Sequence, residues 1–376
     1  MREILTFCEA EQPWLLDTIG ALVKAESPSD DKNAVDACGR LLVARLEQCG
    51  GRITRIPQTA SGDQVRAEWG AGDRQVLLLG HFDTVWSVGQ LAAMPLREER
   101  GRLHGPGVFD MKAGISIGMQ AVRALHATHA MPRCRIVMLL TTDEEIGSRT
   151  SRALIEETAR QSSAVLVLEP SLPGGAVKTS RKGCGEYELI VHGKAAHAGI
   201  EPGRGANAIR ELALQIARLD AMQDVERGVA VNVGTISGGT RANVVPDIAR
   251  AAIDVRVPSL DDAAAVDAAM RRLAPELPGT SLELKGGIER PPLERTDHVV
   301  RLYQIARQVA AELGHALGEG STGGGSDGNF TAALGIPTLD GLGATGDGAH
   351  ALHEHVNVGD LPWRAALIAG LLTRLS

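Results

Sequence analysis

Residues 76–85 read VLLLGHFDTV, a short apolar run that stops at a glycine and is followed at once by a histidine and an aspartate. Two later runs have the same form: residues 136–140 (IVMLL) are followed by TTDEE, and residues 164–168 (AVLVL) are followed by EP. Continuous apolar runs of this length are typical of strands buried on both faces of a parallel α/β sheet. Because open α/β sheets bind ligands at the carboxyl ends of their strands, the polar residues predict a site at one sheet edge.

The pattern changes in the middle of the chain. A half-exposed strand is predicted at 187–192, further strands at 229–236, 248–257 and 281–284, an amphipathic helix at 207–219 and a second helix at 261–273. Their order, β-α-β-β-α-β, is the split βαβ or ferredoxin-like arrangement. We therefore expect an α/β protein with a mixed, largely parallel sheet. Residues 1–180 and 290–376 would form its catalytic domain, interrupted by a smaller α+β domain at 181–289.

The composition excludes several function classes. The net charge is −7, and the aromatic residues are four Phe, four Trp and two Tyr, so neither charge nor base stacking favours nucleic acid. The longest apolar stretch, residues 365–372, is too short to span a membrane, and residues 1–20 lack the apolar core of a signal peptide. Five cysteines without a CxxC pair indicate a reducing compartment. We expect a cytoplasmic protein without a nucleic-acid or membrane partner.

Each polar cluster, taken alone, has an ordinary structural explanation. His81 could be a loop histidine, Asp110 in GPGVFDMKAG a helix N-cap, and the acids in residues 141–147 (TTDEEIG) a helix N-terminus. Residues 350–355 (HALHEH) are not an HExxH motif, and residues 322–327 (TGGGSD) lack the Lys-Ser/Thr of a P-loop. Together, however, the clusters supply histidines and carboxylates to the same sheet edge. This donor set is typical of a two-zinc hydrolytic site.

Motifs along most of the chain, from about residue 75 to the end, resemble a known family. The matching segments are GHFDTV, GPGVFDMKAG, TTDEEIGS, LEP, GKAAHAG, GGTRANVVPD, DVRV, TGGGSD and HALHEHV. In this order they resemble the di-zinc exopeptidases and aminoacylases, which include aminoacylase, acetylornithine deacetylase and succinyl-diaminopimelate desuccinylase. The glutamate carboxypeptidase (carboxypeptidase G) branch is the most similar. The resemblance implies a zinc-exopeptidase catalytic domain and a lid and dimerisation role for the inserted domain.

The resemblance also implies a ligand set for two zinc ions per subunit, with Co²⁺ or Mn²⁺ as possible substitutes. Asp110 would bridge the two ions. His81 and Glu169 would complete one site, and Glu145 and His350 would complete the other. Family members have a cis peptide bond after the bridging aspartate, which we therefore expect here as well.

Three histidines compete for the last ligand position. In the family pattern a glutamate follows the ligand histidine by four residues, and Glu354 stands in that position relative to His350. We therefore assign His350, with His353 and His355 as the alternatives.

Roles in catalysis follow from the same resemblance. Glu144 would be the general base in metal-assisted amide hydrolysis, and Asp83 would hold His81 in one tautomer. His197, in the inserted domain, would help to stabilise the tetrahedral oxyanion. The alternative for His197 is an ordinary loop histidine beside Gly199.

Substrate binding is assigned to the inserted domain and the glycine-rich loop. Arg256 and Asn243 would contact a free α-carboxylate, Arg290 is a further candidate, and Gly324 would line the pocket. The alternative for Arg256 is a salt bridge on a strand face.

The expected reaction releases a C-terminal amino acid, with glutamate as the candidate, from a small N-acyl or peptidyl conjugate. One alternative is an aminoacylase, deacetylase or dipeptidase with another side-chain preference. A more remote one is a non-catalytic carboxylate-binding module, which would lack a ligand or the base. We also expect a homodimer formed through the inserted domain, where an outer strand edge could pair with a second copy.

Overall fold

The computed structural model describes residues 1–375, which divide into two compact units. Unit 1 comprises Met1–Ser180, Arg295–Ser321 and the chain from Ser326 to the last described residue, and unit 2 comprises Arg181–Glu294 and Thr322–Gly325. The predicted boundaries were 181–289 for the inserted domain and 290–376 for the second catalytic segment. The glycine-rich stretch Thr322–Gly325 is thus grouped with unit 2 rather than with the catalytic segment.

The helices and strands alternate through most of the chain. The helices are α1 (Arg2–Ala10), α2 (Gln12–Lys24), α3 (Lys32–Gln48), α4 (Ala113–Ala127), α5 (Arg152–Arg160), α6 (Ala208–Asp220), α7 (Leu260–Arg271), α8 (Asp297–Glu312), α9 (Gly328–Ala333) and α10 (Leu361–Arg374). The strands are β1 (Arg52–Ile56), β2 (Gln64–Trp69), β3 (Gln75–His81), β4 (Arg97–Glu99), β5 (Arg102–His104), β6 (Arg135–Thr141), β7 (Ala164–Val167), β8 (Val177–Arg181), β9 (Gly183–His192), β10 (Ala230–Gly238), β11 (Ile248–Val257), β12 (Ser281–Arg290), β13 (Glu319–Thr322), β14 (Thr338–Leu339), β15 (Gly346–Asp347) and β16 (His355–Asn357).

A six-stranded mixed sheet forms the centre of unit 1. Its order is β1-β2-β6-β3-β7-β14. Strand β3 runs parallel to β6 and β7, whereas β2 is antiparallel to both of its neighbours, β1 and β6. All residues of β3 and β7 are buried, which confirms that these apolar runs are strands covered on both faces. Helices α4 and α10 pack against each other in the core. A side chain at Gly114 in α4 would collide with the backbone oxygen of Leu168, so a glycine allows this close approach.

Unit 2 contains a four-stranded antiparallel sheet and two helices. The sheet order is β10-β11-β9-β12, and the element order β9-α6-β10-β11-α7-β12 confirms the predicted ferredoxin-like arrangement. Alternate residues of β9, such as Leu189 and Val191, are buried together with Leu212 of α6 and Val266 of α7. Strand β10 lies at the edge of this sheet.

A small sheet of β15, β16, β5 and β4 was not predicted. Its strands are only two or three residues long, too short to show a period in the sequence. Among residues 1–375, none of the helices combines the length and the apolarity that crossing a bilayer requires.

Candidate metal centre

The predicted site residues of unit 1 lie at one edge of the six-stranded sheet. His81 is the last residue of β3, Glu145 lies four residues after β6, and Glu169 lies two residues after β7. Since β3 is parallel to both neighbours, the carboxyl ends of the three strands meet at the same edge. The sheet topology therefore brings these three side chains together.

The first group consists of His81, Asp110 and Glu169. The His81 Nε2 atom lies 3.3 Å from Asp110 Oδ1 and 3.5 Å from Glu169 Oε1. Both His81 Nε2 and Asp110 Oδ1 are buried, and neither makes a hydrogen bond within the described part of the chain. Buried polar atoms are normally paired, so these two atoms are suited to coordinating a cation.

The second group consists of Asp110, Glu145 and His350. The His350 Nε2 atom lies 3.4 Å from Asp110 Oδ2 and 3.1 Å from Glu145 Oε2. One carboxylate oxygen of Asp110 thus faces each group, and within each group the ligand atoms lie within 4.8 Å of one another. Asp110 thus belongs to both groups that could hold a cation, and the predicted cis peptide bond between Asp110 and Met111 is present.

The acidic residues dominate the electrostatics of the two groups. Burial opposes protonation of His81, but Asp110, Asp83 and Glu169 raise the pKa of this histidine. Asp110 and Glu145 raise the pKa of His350 to about 10. Burial and the neighbouring Asp110 raise the pKa of Glu145, whereas for Asp110 the two histidines outweigh burial and lower the pKa. The shifts reflect burial and the crowding of carboxylates and imidazoles, an environment that a divalent cation would neutralise.

The three histidines that compete for the last ligand position lie in different places. Only His350, among the three, lies beside Asp110 and Glu145. His353 is exposed, with its Nε2 atom 3.8 Å from Asp347, and His355 belongs to β16. His350 has a left-handed backbone with a φ of 61°. Such a conformation costs a non-glycine residue about 1–3 kcal/mol and is concentrated at functional sites.

Asp83 is fully buried and joins His81 to the acidic loop. The His81 Nδ1 atom lies 3.1 Å from the backbone oxygen of Asp83 and 3.4 Å from its Oδ1 atom. The backbone nitrogens of Glu144 and Glu145 donate to the Asp83 carboxylate at 3.4 and 3.2 Å. With its Nδ1 proton directed at Asp83, the neutral His81 ring would offer the lone pair of Nε2 to a cation held beside Asp110 and Glu169.

Three contributing residues were not predicted as members of the site. Ser29 Oγ donates to Asp83 Oδ2 at 2.7 Å, and Lys178 Nζ lies 3.9 Å from Glu169 Oε2. Glu354, used in the sequence only to identify its neighbour His350, is a buried acceptor beside Asp110. Each contact joins residues distant in the chain, and no local pattern marks such a pair.

In unit 2, His197 and Asn243 are neighbours. A β-bridge joins His197 to Val244, and the Ala198 nitrogen donates to the Asn243 oxygen at 3.0 Å. The exposed His197 accepts the backbone N–H groups of Gly199 and Ile200 on Nδ1, both at 3.1 Å. Since Nδ1 is an acceptor, the neutral ring carries its proton on Nε2.

Arg256 and Arg290 lie opposite Cys184 on the two strands that flank β9. Arg256 forms a two-pronged ion pair with Asp254, with Nε and Nη2 at 3.0 and 2.9 Å from the carboxylate oxygens. The strand-face salt bridge that the sequence left open as an alternative is therefore present. The Arg256 guanidinium also contacts the Cys184 sulfur.

The glycine-rich loop is held from within unit 2. Arg181 donates to the backbone oxygens of Gly324 and Gly325 at 3.2 and 2.8 Å. A Cβ at Gly324 would meet no described atom within 4 Å, whereas one at Gly325 would lie 3.1 Å from Arg290 and 3.2 Å from Cys184. The crowded position is thus Gly325 rather than Gly324.

Comparison with known proteins establishes the family. Residues 77–374 match the model of peptidase family M20/M25/M40. The chain belongs to this family. Carboxypeptidase G2 of Pseudomonas sp. (strain RS-16) is 31% identical to this M20 protein over 376 residues, covering 97% of this chain and 90% of the relative.

Two solved structures share the fold of this M20 protein. Aminopeptidase PepT of Bacillus cereus ATCC 10987 has a TM-score of 0.80 at 23% identity and covers 97% of this chain and 98% of its own. The YXEP protein of Bacillus subtilis, described as a dinuclear metal binding peptidase, has a TM-score of 0.72 at 17% identity, with coverage of 97% and 98%. These findings confirm the predicted family, fold class and enzyme class. The M20 protein is a metal-dependent hydrolase of the peptidase and aminoacylase type.

Proposed function

We propose that this protein is a two-zinc carboxypeptidase that releases a C-terminal amino acid, with glutamate preferred, from a small N-acyl or peptidyl conjugate. The observation that supports it most is Asp110, whose two carboxylate oxygens face two separate ligand groups. Cleavage at the C-terminal end of the substrate is proposed from the likeness to a relative named carboxypeptidase.

The residues present fit a pair of divalent cations. His81, Asp110 and Glu169 would hold one ion, and Asp110, Glu145 and His350 the other. Imidazole nitrogens with carboxylate oxygens suit Zn²⁺, and Co²⁺ or Mn²⁺ could replace it. Two such cations would supply Lewis-acid polarisation of the scissile carbonyl and would acidify a water molecule.

The side chains around the ions would orient groups and move protons. Asp83 keeps the His81 proton on Nδ1, because its backbone oxygen and carboxylate both face that nitrogen. Glu144, half-buried and next to the ligand Glu145, would take the proton from the attacking water and later give it to the leaving amine.

Unit 2 would supply substrate recognition. The Nε2–H of His197 is a donor suited to a developing oxyanion, because Nδ1 is already occupied by two backbone N–H groups. Asn243, its backbone neighbour, and Arg256 would bind the free α-carboxylate. The ion pair with Asp254 would hold the plane of the Arg256 guanidinium. Arg290 and Gly324 are proposed to line the same region.

Unit 2 is also the proposed lid and dimerisation domain. Its edge strand β10 carries Ile236, which is 66% exposed, and an unpaired strand edge can pair with that of a second copy. We expect sedimentation to show a dimer at micromolar concentration, and a monomer would contradict this assignment. The cytoplasmic location stays a prediction.

A hydrolysis panel with metal exchange tests the proposal. The purified protein, loaded with Zn²⁺, Co²⁺ or Mn²⁺, is offered N-acyl-Glu, N-acyl-Ala, N-acyl-Phe and N-acetylornithine. We expect preferential cleavage of N-acyl-Glu and loss of all activity after exhaustive chelation, restored by added metal. A preference for another side chain would contradict the glutamate carboxypeptidase assignment and favour an aminoacylase, deacetylase or dipeptidase. Full activity without bound metal would refute the mechanism.

A further inference from the structure

Glu354 is a buried carboxylate to which neither the mechanism nor the ligand set gives a role. Only 1% of the residue is exposed. Its Oε1 atom accepts the backbone N–H groups of Phe109 and Asp110 at 2.9 and 3.1 Å. Its Oε2 atom accepts the backbone N–H of Gly107 at 2.9 Å and the indole N–H of Trp86 at 2.8 Å. Four donors therefore share one carboxylate, and hydrogen bonds to an ionised acceptor are the strong ones.

These hydrogen bonds join the two loops that carry Asp110 and His350. Glu354 lies four residues after His350, and its own nitrogen donates to the Ala351 oxygen at 2.9 Å within the same turn. Its carboxylate holds the backbone from Gly107 to Asp110, more than 240 residues earlier in the chain. The two loops are also joined by the pairing of β16 with β5, and Glu354 is the side chain that links them directly beside Asp110.

We propose that Glu354 is the positioning residue of the metal centre. It would hold the Asp110 carboxylate where one oxygen faces His81 and the other faces His350. The proposal rests on the proposed two-cation function.

The alternative is that Glu354 only stabilises the fold. Unit 2 offers a matched comparison in Glu211, which is also fully buried. The Glu211 carboxylate accepts the backbone N–H groups of Glu276 and Leu277, the Thr280 hydroxyl and the Gln215 amide. Glu211 therefore makes the same kind of network, but it lies in the unit that does not contain the ligand groups.

The experiment compares E354Q with E211Q in the full-length protein. Glutamine keeps the size of the side chain, but its amide nitrogen cannot accept, so two of the four donors lose their acceptor. Co²⁺ is titrated against a chelating indicator to measure affinity, and the visible absorption of the Co²⁺-loaded protein reports the ligand geometry. Thermal unfolding of the metal-free variants measures the stability lost by each.

We expect E354Q to bind Co²⁺ about 10- to 100-fold more weakly than the wild type, the usual effect of losing an outer contact to a ligand. Its Co²⁺ absorption spectrum should change. E211Q should lose stability but keep the wild-type affinity and spectrum. E354D keeps the charge but withdraws the acceptor by one methylene, so we expect it not to restore the affinity.

Several results would overturn the proposal: wild-type affinity and spectrum in E354Q, an equal loss in E211Q, or full restoration by E354D, which would make charge rather than placement the cause. If E354Q does not fold, E354D carries the test, because its shorter side chain moves the acceptor away from the Gly107, Phe109 and Asp110 N–H groups, and an unchanged Co²⁺ affinity in E354D refutes the role. A wild-type protein that binds no Co²⁺ would instead refute the proposed function itself.

Discussion

Replacing Asp83 with asparagine should weaken both metal binding and the fold. The buried Asp83 carboxylate receives the Ser29 hydroxyl at 2.7 Å and the Glu145 N–H at 3.2 Å on Oδ2, while its Oδ1 atom faces His81 Nδ1 and the Glu144 N–H, both at 3.4 Å. Asparagine has one acceptor oxygen instead of two, so two of these donors lose their partner. At about 1.5 kcal/mol for each hydrogen bond to a charged group, the free energy of unfolding should fall by about 3 kcal/mol.

Metal affinity should respond through His81. Without the carboxylate, only the backbone oxygen of residue 83 still faces Nδ1, so the tautomer that frees Nε2 is held less firmly. We expect about a 10- to 100-fold loss of Co²⁺ affinity, which corresponds to about 1.4–2.7 kcal/mol. Chelator competition measures the affinity, and urea titration of the metal-free protein measures the stability. S29A is the matched control, because it removes one donor and leaves the carboxylate. Its losses of Co²⁺ affinity and of unfolding free energy should therefore both be smaller than those of D83N. Wild-type affinity in D83N, or a larger loss in S29A, would refute the reasoning.

Three further predictions concern Glu144, Glu211 and Arg364. The variant E144Q should keep its bound metal but lose at least about 100-fold in kcat on N-acyl-Glu, and an unchanged kcat would exclude the general-base role. The variant E211A should leave two backbone N–H groups without their acceptor and lose about 2–4 kcal/mol in a urea titration, and a loss below about 0.5 kcal/mol would contradict the assigned network. Burial raises the pKa of Glu211, but the hydrogen bonds from Gln215, Leu277 and Glu276 outweigh burial and lower this pKa below its ordinary 4.5. The contribution of Glu211 to the free energy of unfolding is therefore complete above the unfolded pKa of 4.5 and is lost as the pH falls through the lower folded pKa. The difference in unfolding free energy between the wild type and E211A should therefore become smaller at acidic pH. The fully buried Arg364 donates to three glycine carbonyls, and R364M should lower stability by about 2–4 kcal/mol in a urea titration, with an unchanged midpoint counting against that role.

Much of the fold was predictable because the burial of a strand determines the pattern of apolar residues in its sequence. Strand β3 was expected from an unbroken apolar run, since both of its faces are covered. In unit 2, β11 was predicted at its observed bounds, Ile248–Val257, because one covered and one open face produce alternation. Strands β15 and β16 carry two and three residues and are held by pairing partners, so no periodicity could reveal them.

The site was predictable to a different extent. The histidine and carboxylates at the strand ends follow from the sheet, whereas their individual roles came from a family resemblance. The pair of Asp254 and Arg256 was also within reach, because residues two apart on a strand share a face. The crowding at Gly325 was not, because the atoms that cause it, in Arg290 and Cys184, come from two other strands.

The metal centre is therefore built by two different means. Three proposed ligands, His81, Glu145 and Glu169, lie at or just after the carboxyl ends of neighbouring parallel strands, so the sheet brings them to one edge. The proposed ligands Asp110 and His350 lie on loops outside the six-stranded sheet, beside the paired strands β5 and β16. Glu354 adds hydrogen bonds to the Asp110 loop, and we propose that these fix the two ligands relative to each other. Hence a core substitution in β3 should act on metal binding through stability, whereas a substitution at Glu354 should act on it directly.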